Sequence, residues 1–316
     1  MVVLQLLLGF ALLVAGGEAL VRGAVAVAER LRVSPLLIGL TLVGFGTSTP
    51  ELVTSLQAAF DRLPGIAVGN VVGSNVANVL LILGLAAVIA PVAAARAGFG
   101  RDGAALAGAT ALCVGVVLWG ALDRWLGGIL VAALAAYLVV AYLTDRSAAA
   151  GDGATAVAAA EVGPVPGPAW LAALLAVGGI AVTILGARLA VDAAVELALL
   201  WGLSETVVGL TIVAVGTSLP ELVTSVVAAL RRESAIAFGN VVGSNIYNVL
   251  GILGVTALVR PIAVPPQIAV LDVWVMTAAT AALIAAVVLR ERIGRAVGAG
   301  FLLSYAAYTA WLVAGA

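Results

Sequence analysis

GTSTPELVTS (46–55) and GNVVGSNVAN (69–78) recur as GTSLPELVTS (216–225) and GNVVGSNIYN (239–248). At a constant offset of about 170 positions, 34–93 align on 204–263 without a gap and match at roughly 35 of 60 positions, so the chain is an internal duplication. Each copy places one glutamate, Glu51 or Glu221, in an otherwise apolar segment. An ionised carboxylate inside a bilayer costs a few kcal/mol or more, so it normally faces a polar cavity and a partner.

The bilayer itself follows from composition. Over 316 residues the chain is 64% hydrophobic and 10% charged, with a mean hydropathy of +1.23. That is too apolar for a soluble globule. Apolar runs of about 17–25 residues recur along its length, and without strict alternation they read as helices rather than barrel strands. Ten spans are predicted near 2–21, 33–60, 65–90, 103–120, 125–143, 169–190, 203–230, 235–258, 268–289 and 296–314. The N-terminal run has no basic segment ahead of it and reads as a retained first span.

Residues 147–168, rich in Ala, Gly and Pro, read as a flexible cytoplasmic linker between a first repeat, 1–146, and a second, 169–316. The expected fold is an all-α polytopic membrane protein of ten transmembrane helices in two five-helix repeats, with broken helices at the motif-bearing spans. Arginine sets the orientation. One set of alternate loops holds Arg22, Arg30, Arg32, Arg96, Arg101, Arg146, Arg231, Arg232, Arg290, Arg292 and Arg295; the other holds only Arg62, Arg124, Arg188 and Arg260. The first set should be cytoplasmic, which places both termini outside the cytoplasmic membrane. Five spans per copy is an odd number, so the second copy enters inverted, as in many secondary transporters. The cytoplasmic segment with Arg22, Arg30 and Arg32 answers to one carrying Asp192, Glu196 and Glu205, a charge reversal that suits inversion. Trp119, Trp125, Trp201 and Trp311 near span ends read as interface anchors, and Glu18, Asp192, Glu196 and Asp272 as structural.

Several functions are excluded or disfavoured. A net charge of −1 with no basic patch gives nucleic acid nothing to bind. Cys113 is the sole cysteine and sits in an apolar run, and there is no histidine, so oxygen groups must do any ion or proton chemistry. Ser-His catalysis is impossible, and no enzyme, cofactor or obligate protein partner is indicated. A channel would need a continuous pore, whereas two broken helices in inverted copies favour a carrier.

The repeated stretch suits a hard cation. On a helix, Thr47, Ser48, Glu51, Thr54 and Ser55 turn their oxygens to one side. Pro50 cannot donate to the Gly46 carbonyl, nor Pro220 to that of Gly216, so both carbonyls are available as ligands. Asn70, Ser74 and Asn78, and likewise Asn240, Ser244 and Asn248, form a polar stripe at four-residue steps. Gly69 with Gly73, and Gly239 with Gly243, form the small-residue spacing that lets another backbone approach. Such a shell fits calcium or sodium better than magnesium.

At these residues the chain resembles the cation/calcium exchanger superfamily, in particular its prokaryotic sodium/calcium exchanger branch, whose repeats carry G-T-S-x-P-E and G-N-x-x-G-S-N. The resemblance covers essentially the whole chain. It implies a secondary antiporter exchanging Ca²⁺ for Na⁺ by alternating access, with spans 1 and 6 sliding across a core of the other eight. It also implies that Glu51 and Glu221 are the main calcium ligands, that Thr47, Ser48, Ser74, Thr217, Ser218 and Ser244 complete sodium sites, and that Asn78 and Asn248 lie at the centre. Many members have aspartate where this chain has Asn248. H⁺ in place of Na⁺, or another divalent cation in place of Ca²⁺, stays open on the same two glutamates.

Overall fold

In a computed structural model, residues 1–31, 33–94, 96–151, 168–200 and 214–314 are described. The first part (203–213) of the expected span 203–230, most of the expected linker (152–167), Arg32, Trp201 and Glu205 lie outside them. The described chain is helical apart from four two-residue strands. In order it runs α1 (Val2–Leu31), α2 (Pro35–Thr47), α3 (Thr49–Phe60), α4 (Pro64–Ile89), β1 (Val92–Ala93), α5 (Arg96–Trp119), β2 (Ala121–Leu122) and α6 (Arg124–Gly151). It continues with α7 (Ala169–Leu200), α8 (Ala214–Gly216), α9 (Leu219–Leu230), α10 (Ser234–Val259), β3 (Ile262–Ala263), α11 (Pro266–Val270), α12 (Asp272–Arg290), β4 (Arg292–Ile293) and α13 (Arg295–Ala314). By length and composition, seven of the described helices can cross a membrane, or eight if the bent pair α2–α3 is one span.

Three helices are longer than the sequence suggests. α1 runs to Leu31 and α7 to Leu200, through the charges taken as their ends, and α6 runs to Gly151, into the stretch read as linker. Glu and Arg are good helix formers, so they mark where hydrocarbon ends rather than where the helix does. Thirty residues span about 45 Å against a hydrocarbon core of about 30 Å, so α1 must tilt or protrude.

The motif helices occupy the centre. α4 and α10 are the most enclosed spans, with 72% and 83% of their central windows buried, against 22% for α1 and 28% for α7. Each contains a wider π-helical turn at the same place, Asn78–Leu83 and Asn248–Leu253. β1 pairs antiparallel with β4 (Val92 opposite Ile293) and β2 with β3 (Ala121 opposite Ala263), joining the linkers of one copy to those of the other. These pairings were not anticipated; two-residue strands carry no readable period.

Glycine decides the closest approaches. A Cβ on Gly239 would lie 2.8 Å from the Leu36 carbonyl, and one on Gly243 would strike Leu40, so α10 packs directly on the α2 backbone. The equivalent partner of Gly69 and Gly73, 206–210, is outside the described residues. α1 and α7 meet along Gly9, Gly16 and Gly23 on one side and Gly179 and Gly186 on the other, at intervals of seven residues. A Cβ on Gly186 would sit 2.6 Å from the Leu13 amide. Gly178 has open space beside it, whereas Gly179 abuts Leu20 and Gly16. Gly178→Ala should therefore be neutral or stabilising by up to about 1 kcal/mol from helix propensity, and Gly179→Ala destabilising by about 1–3 kcal/mol from overpacking. Thermal unfolding of the two variants in detergent, shifting in opposite directions, checks this.

Candidate cation-binding site

The two proline-bearing breaks aim the glutamates inward. Pro50 and Pro220 sit at the second position of α3 and α9, where a missing N–H costs a helix nothing. α2 ends at Thr47, and the chain bends by 44° into α3. Glu51 and Glu221, in the first turns that follow, are each 1% exposed. In the first copy the Thr49 hydroxyl donates to the Gly46 carbonyl at 2.9 Å; Leu219 has no hydroxyl to do the same for Gly216. A carbonyl has two lone pairs, so Gly46 keeps one for a ligand. Both motif glycines let α7 come close: a Cβ on Gly46 would strike Ile180, and one on Gly216 would lie 2.5 Å from Val191.

Each carboxylate is held by the other copy. The Ser48 hydroxyl donates to Glu221 Oε1 at 2.8 Å, and the Ser218 hydroxyl to Glu51 Oε1 at 3.0 Å. Ser74 Oγ lies 3.4 Å from Ser218 Oγ. Asn70 Nδ2 donates to the Glu51 carbonyl (3.1 Å) and Ser55 Oγ (2.9 Å), and Asn240 Nδ2 to the Glu221 carbonyl (3.2 Å) and Ser225 Oγ (2.8 Å). These two amides clamp each broken helix to the helix after it. The Thr47 hydroxyl faces the Val43 carbonyl at 3.0 Å and Asn240 Oδ1 at 3.2 Å, and that of Ser244 donates to the Gly44 carbonyl at 3.1 Å. The Thr217 hydroxyl has no partner among the described residues.

Sequence reasoning passed over Asn75 and Asn245, which form a reciprocal lattice at the centre. Asn78 Nδ2 donates to Asn245 Oδ1 and Asn248 Nδ2 to Asn75 Oδ1, both at 2.9 Å. Asn75 Nδ2 reaches the Asn245 carbonyl at 3.2 Å. With their nitrogens engaged, Asn78 and Asn248 each present a free Oδ1. The signal was in the motif: Asn75 and Asn245 recur one helical turn before Asn78 and Asn248, off the four-residue stripe that drew attention.

At this centre four carboxylate and amide oxygens stay buried without a donor among the described residues: Glu51 Oε2, Glu221 Oε2, Asn78 Oδ1 and Asn248 Oδ1. Each such orphan costs about 1–3 kcal/mol, more for a charged group. Neither glutamate has an ion-pair partner among the described residues. Two carboxylate and two amide oxygens, related by the repeat and lacking donors, are what an oxygen-seeking cation satisfies. Phe45 stacks on Tyr247 beside this centre, with ring centroids 4.3 Å apart.

A cavity of about 160 Å³ between α3 and α7 leads to the motif. Pro50, Val53 and Thr54 form one wall, Ala187, Arg188 and Val191 the other, and Gly216 and Thr217 also line it.

If Asn75 and Asn245 fix the central amides, replacing either with Ala lets a carboxamide rotate its nitrogen toward the site. Asn75→Ala and Asn245→Ala should each weaken Ca²⁺ binding by about 10–100-fold, the usual scale for a lost ligand-orienting group. Equilibrium binding of radiolabelled Ca²⁺ to purified protein measures this.

Comparison with known proteins identifies the family. The family described as "Sodium/calcium exchanger protein" matches residues 1–143 and 171–314. CaxA of Alkalimonas amylolytica is 36% identical over 306 residues, covering 96% of this chain and 95% of that protein. The sodium/calcium exchanger MaX1 of Methanosarcina acetivorans is 33% identical over 293 residues, covering 83% of this chain and 84% of that one. The solved structure of the sodium-calcium exchanger NCX_Mj superposes with a TM-score of 0.83 at 30% identity, covering 98% of this chain and 97% of that one. A nearly all-helical membrane protein with a duplicated glutamate motif, matched along nearly its whole length, this chain belongs to the sodium/calcium exchanger family.

Proposed function

We propose that the chain is a secondary antiporter that exchanges Ca²⁺ for Na⁺ across the cytoplasmic membrane, with Glu51 and Glu221 as the principal cation ligands. The observation that carries the reading is the quartet of buried, donor-free oxygens on Glu51, Glu221, Asn78 and Asn248. Ser48, Ser218 and Ser74 stand beside the carboxylates, Thr47, Thr217 and the Gly46 and Gly216 carbonyls extend the oxygen shell along the broken helices, and Ser244 adds to it from α10. Two five-span copies of opposite orientation provide the fold for it, with both termini outside.

Alternating access is supported by a difference between the copies. Gly17 on α1 packs tightly on α9, where its Cβ would meet Val223 at 3.1 Å and Val227 at 3.5 Å. Ala187, the repeat equivalent of Gly17, and Val53, the equivalent of Val223, instead line the cavity. Among the described residues the α3–α7 contact is thus open where the equivalent α1–α9 contact is packed shut. The arginine distribution assigns the open side, that of Arg62 and Arg188, to the exterior.

Charge restricts coupling. With Asn78 and Asn248 neutral, the two glutamates supply at most −2, which one Ca²⁺, two Na⁺ or two H⁺ balance. Three Na⁺ would leave an excess of +1 in a medium that penalises it. H⁺ coupling is the second reading, favoured by the same oxygens: a proton on either carboxylate would have no competing cation side chain among the described residues.

Proteoliposomes loaded with Na⁺ should take up radiolabelled Ca²⁺ as the sodium gradient dictates, and Glu51→Gln and Glu221→Gln should abolish uptake. Uptake that follows only a pH gradient assigns the glutamates to proton exchange instead. Asn248→Asp adds a third carboxylate and should raise both sodium dependence and the charge moved per Ca²⁺; measured transport currents that leave both unchanged contradict the charge argument.

A further inference from the structure

Three charged side chains close one end of the contact between α1 and α9. Glu18 on α1 pairs with Arg22 one turn along at 2.7 Å and with Arg231 at the end of α9. The 170-residue step that carries Glu51 onto Glu221 also carries Glu18 onto Arg188, Arg22 onto Asp192 and Asp61 onto Arg231. Every sign is reversed. Divergence has replaced all three residues, yet each prospective pair stays attractive: Glu18 with Arg231 in one copy, Arg188 with Asp61 in the other.

Only the first pair is made. Both Asp61 oxygens accept from Gln57 Nε2 on their own helix, at 3.1 and 3.0 Å. Arg188 and Asp192 are exposed and form no ion pair among the described residues. Packing follows charge. Where Glu18 meets Arg231, Gly17 lies against Val223 and Val227; where Arg188 and Asp61 are apart, Ala187 and Val53 border the cavity.

We infer that Glu18–Arg231 and Arg188–Asp61 are alternative latches of the exchange cycle. The first holds α1 on α9 while the α3–α7 side is open. In the opposite state Arg188 reaches Asp61, α7 closes over Val53, and Glu18 releases Arg231. The inference rests on the alternating-access reading and names the side chains that balance its two end states. Partly exposed pairs are weak, so each biases the balance by about two- to fivefold rather than locking it. A carrier needs that, because a strong latch in either state would stall turnover.

The test uses full-length protein in detergent, with Cys113→Ala and Val53→Cys, and follows the rate at which a bulky maleimide modifies the new thiol. Val53 is 49% exposed on the cavity wall and becomes covered in the opposite state. Glu18→Gln should slow modification by about two- to fivefold, since the open state loses its latch. Adding Arg188→Gln should return the rate toward that of the parent, because both states have then lost their latch. Arg188 is exposed, so its replacement leaves packing intact. Modification that responds to Ca²⁺ and Na⁺ but not to Glu18→Gln, or a double variant no different from the single, overturns the latches while leaving alternating access standing. Modification insensitive to cations while exchange proceeds counts against alternating access itself.

Discussion

Two carboxylates share the interior of an apolar bundle with no cationic side chain paired to them. Charge repulsion and desolvation both act against this arrangement, and a hydrophobic pair would be easier to bury. Much of the surrounding structure answers that constraint. The helices that carry Glu51 and Glu221 are broken so that serines from opposite copies reach across and donate one hydrogen bond to each carboxylate. The neighbouring asparagines clamp the breaks, and the central lattice turns its remaining oxygens toward the same space. At the centre the amide nitrogens are all engaged while four carboxylate and amide oxygens are left over, so in the proposed function the interior is ordered around a charge that the chain itself does not contain.

Duplication explains how such a centre arises. A two-fold arrangement guarantees that whatever one copy offers, the other matches, and the reciprocal bonds from Ser48 and Ser218 use that directly. The centre is consequently close to symmetric, while its surroundings are not. Phe45 and Tyr247 stack on one side only, where the other copy has Val215 and Ala77. Thr49 restrains one motif carbonyl and Leu219 leaves the other. The two copies thus have different neighbourhoods because their sequences diverge around a retained centre.

The helices and the site residues were legible because hydrophobic runs of membrane length and polar residues inside them both stand out against such a composition. The duplication located the breaks, since two prolines at corresponding places carry more weight than one. Other features were not legible for physical reasons. Charges at Glu18, Arg22 and Arg30 were read as ends of α1, although a helix propagates through paired charges with ease; Glu18 and Arg22, one turn apart, support it instead. Asn75 and Asn245 were missed because their role is to orient another amide across the copy boundary, which spacing within one helix does not reveal. The β1–β4 and β2–β3 pairings join segments about 200 and about 140 residues apart, beyond any local pattern.

The heptad glycines of α1 and α7 bear on how one side can close as the other opens. Their backbones are in contact along Gly9, Gly16, Gly23, Gly179 and Gly186, too close for side chains to slide between them, so the pair is constrained to move as one body. α1 carries Glu18 against α9, and α7 carries Arg188 toward α3. In the proposed cycle a displacement that presses α7 onto α3 must draw α1 away from α9, so one latch forms only as the other breaks. Mutual exclusion then needs no signal through the cation site. In that cycle the site would admit the displacement only when Glu51 and Glu221 are neutralised, because an uncompensated pair of charges resists enclosure from both sides. On the proposed function, a tightly packed helix pair and a charge-balanced centre would together give the two requirements of exchange: access from one side at a time, and no passage when empty.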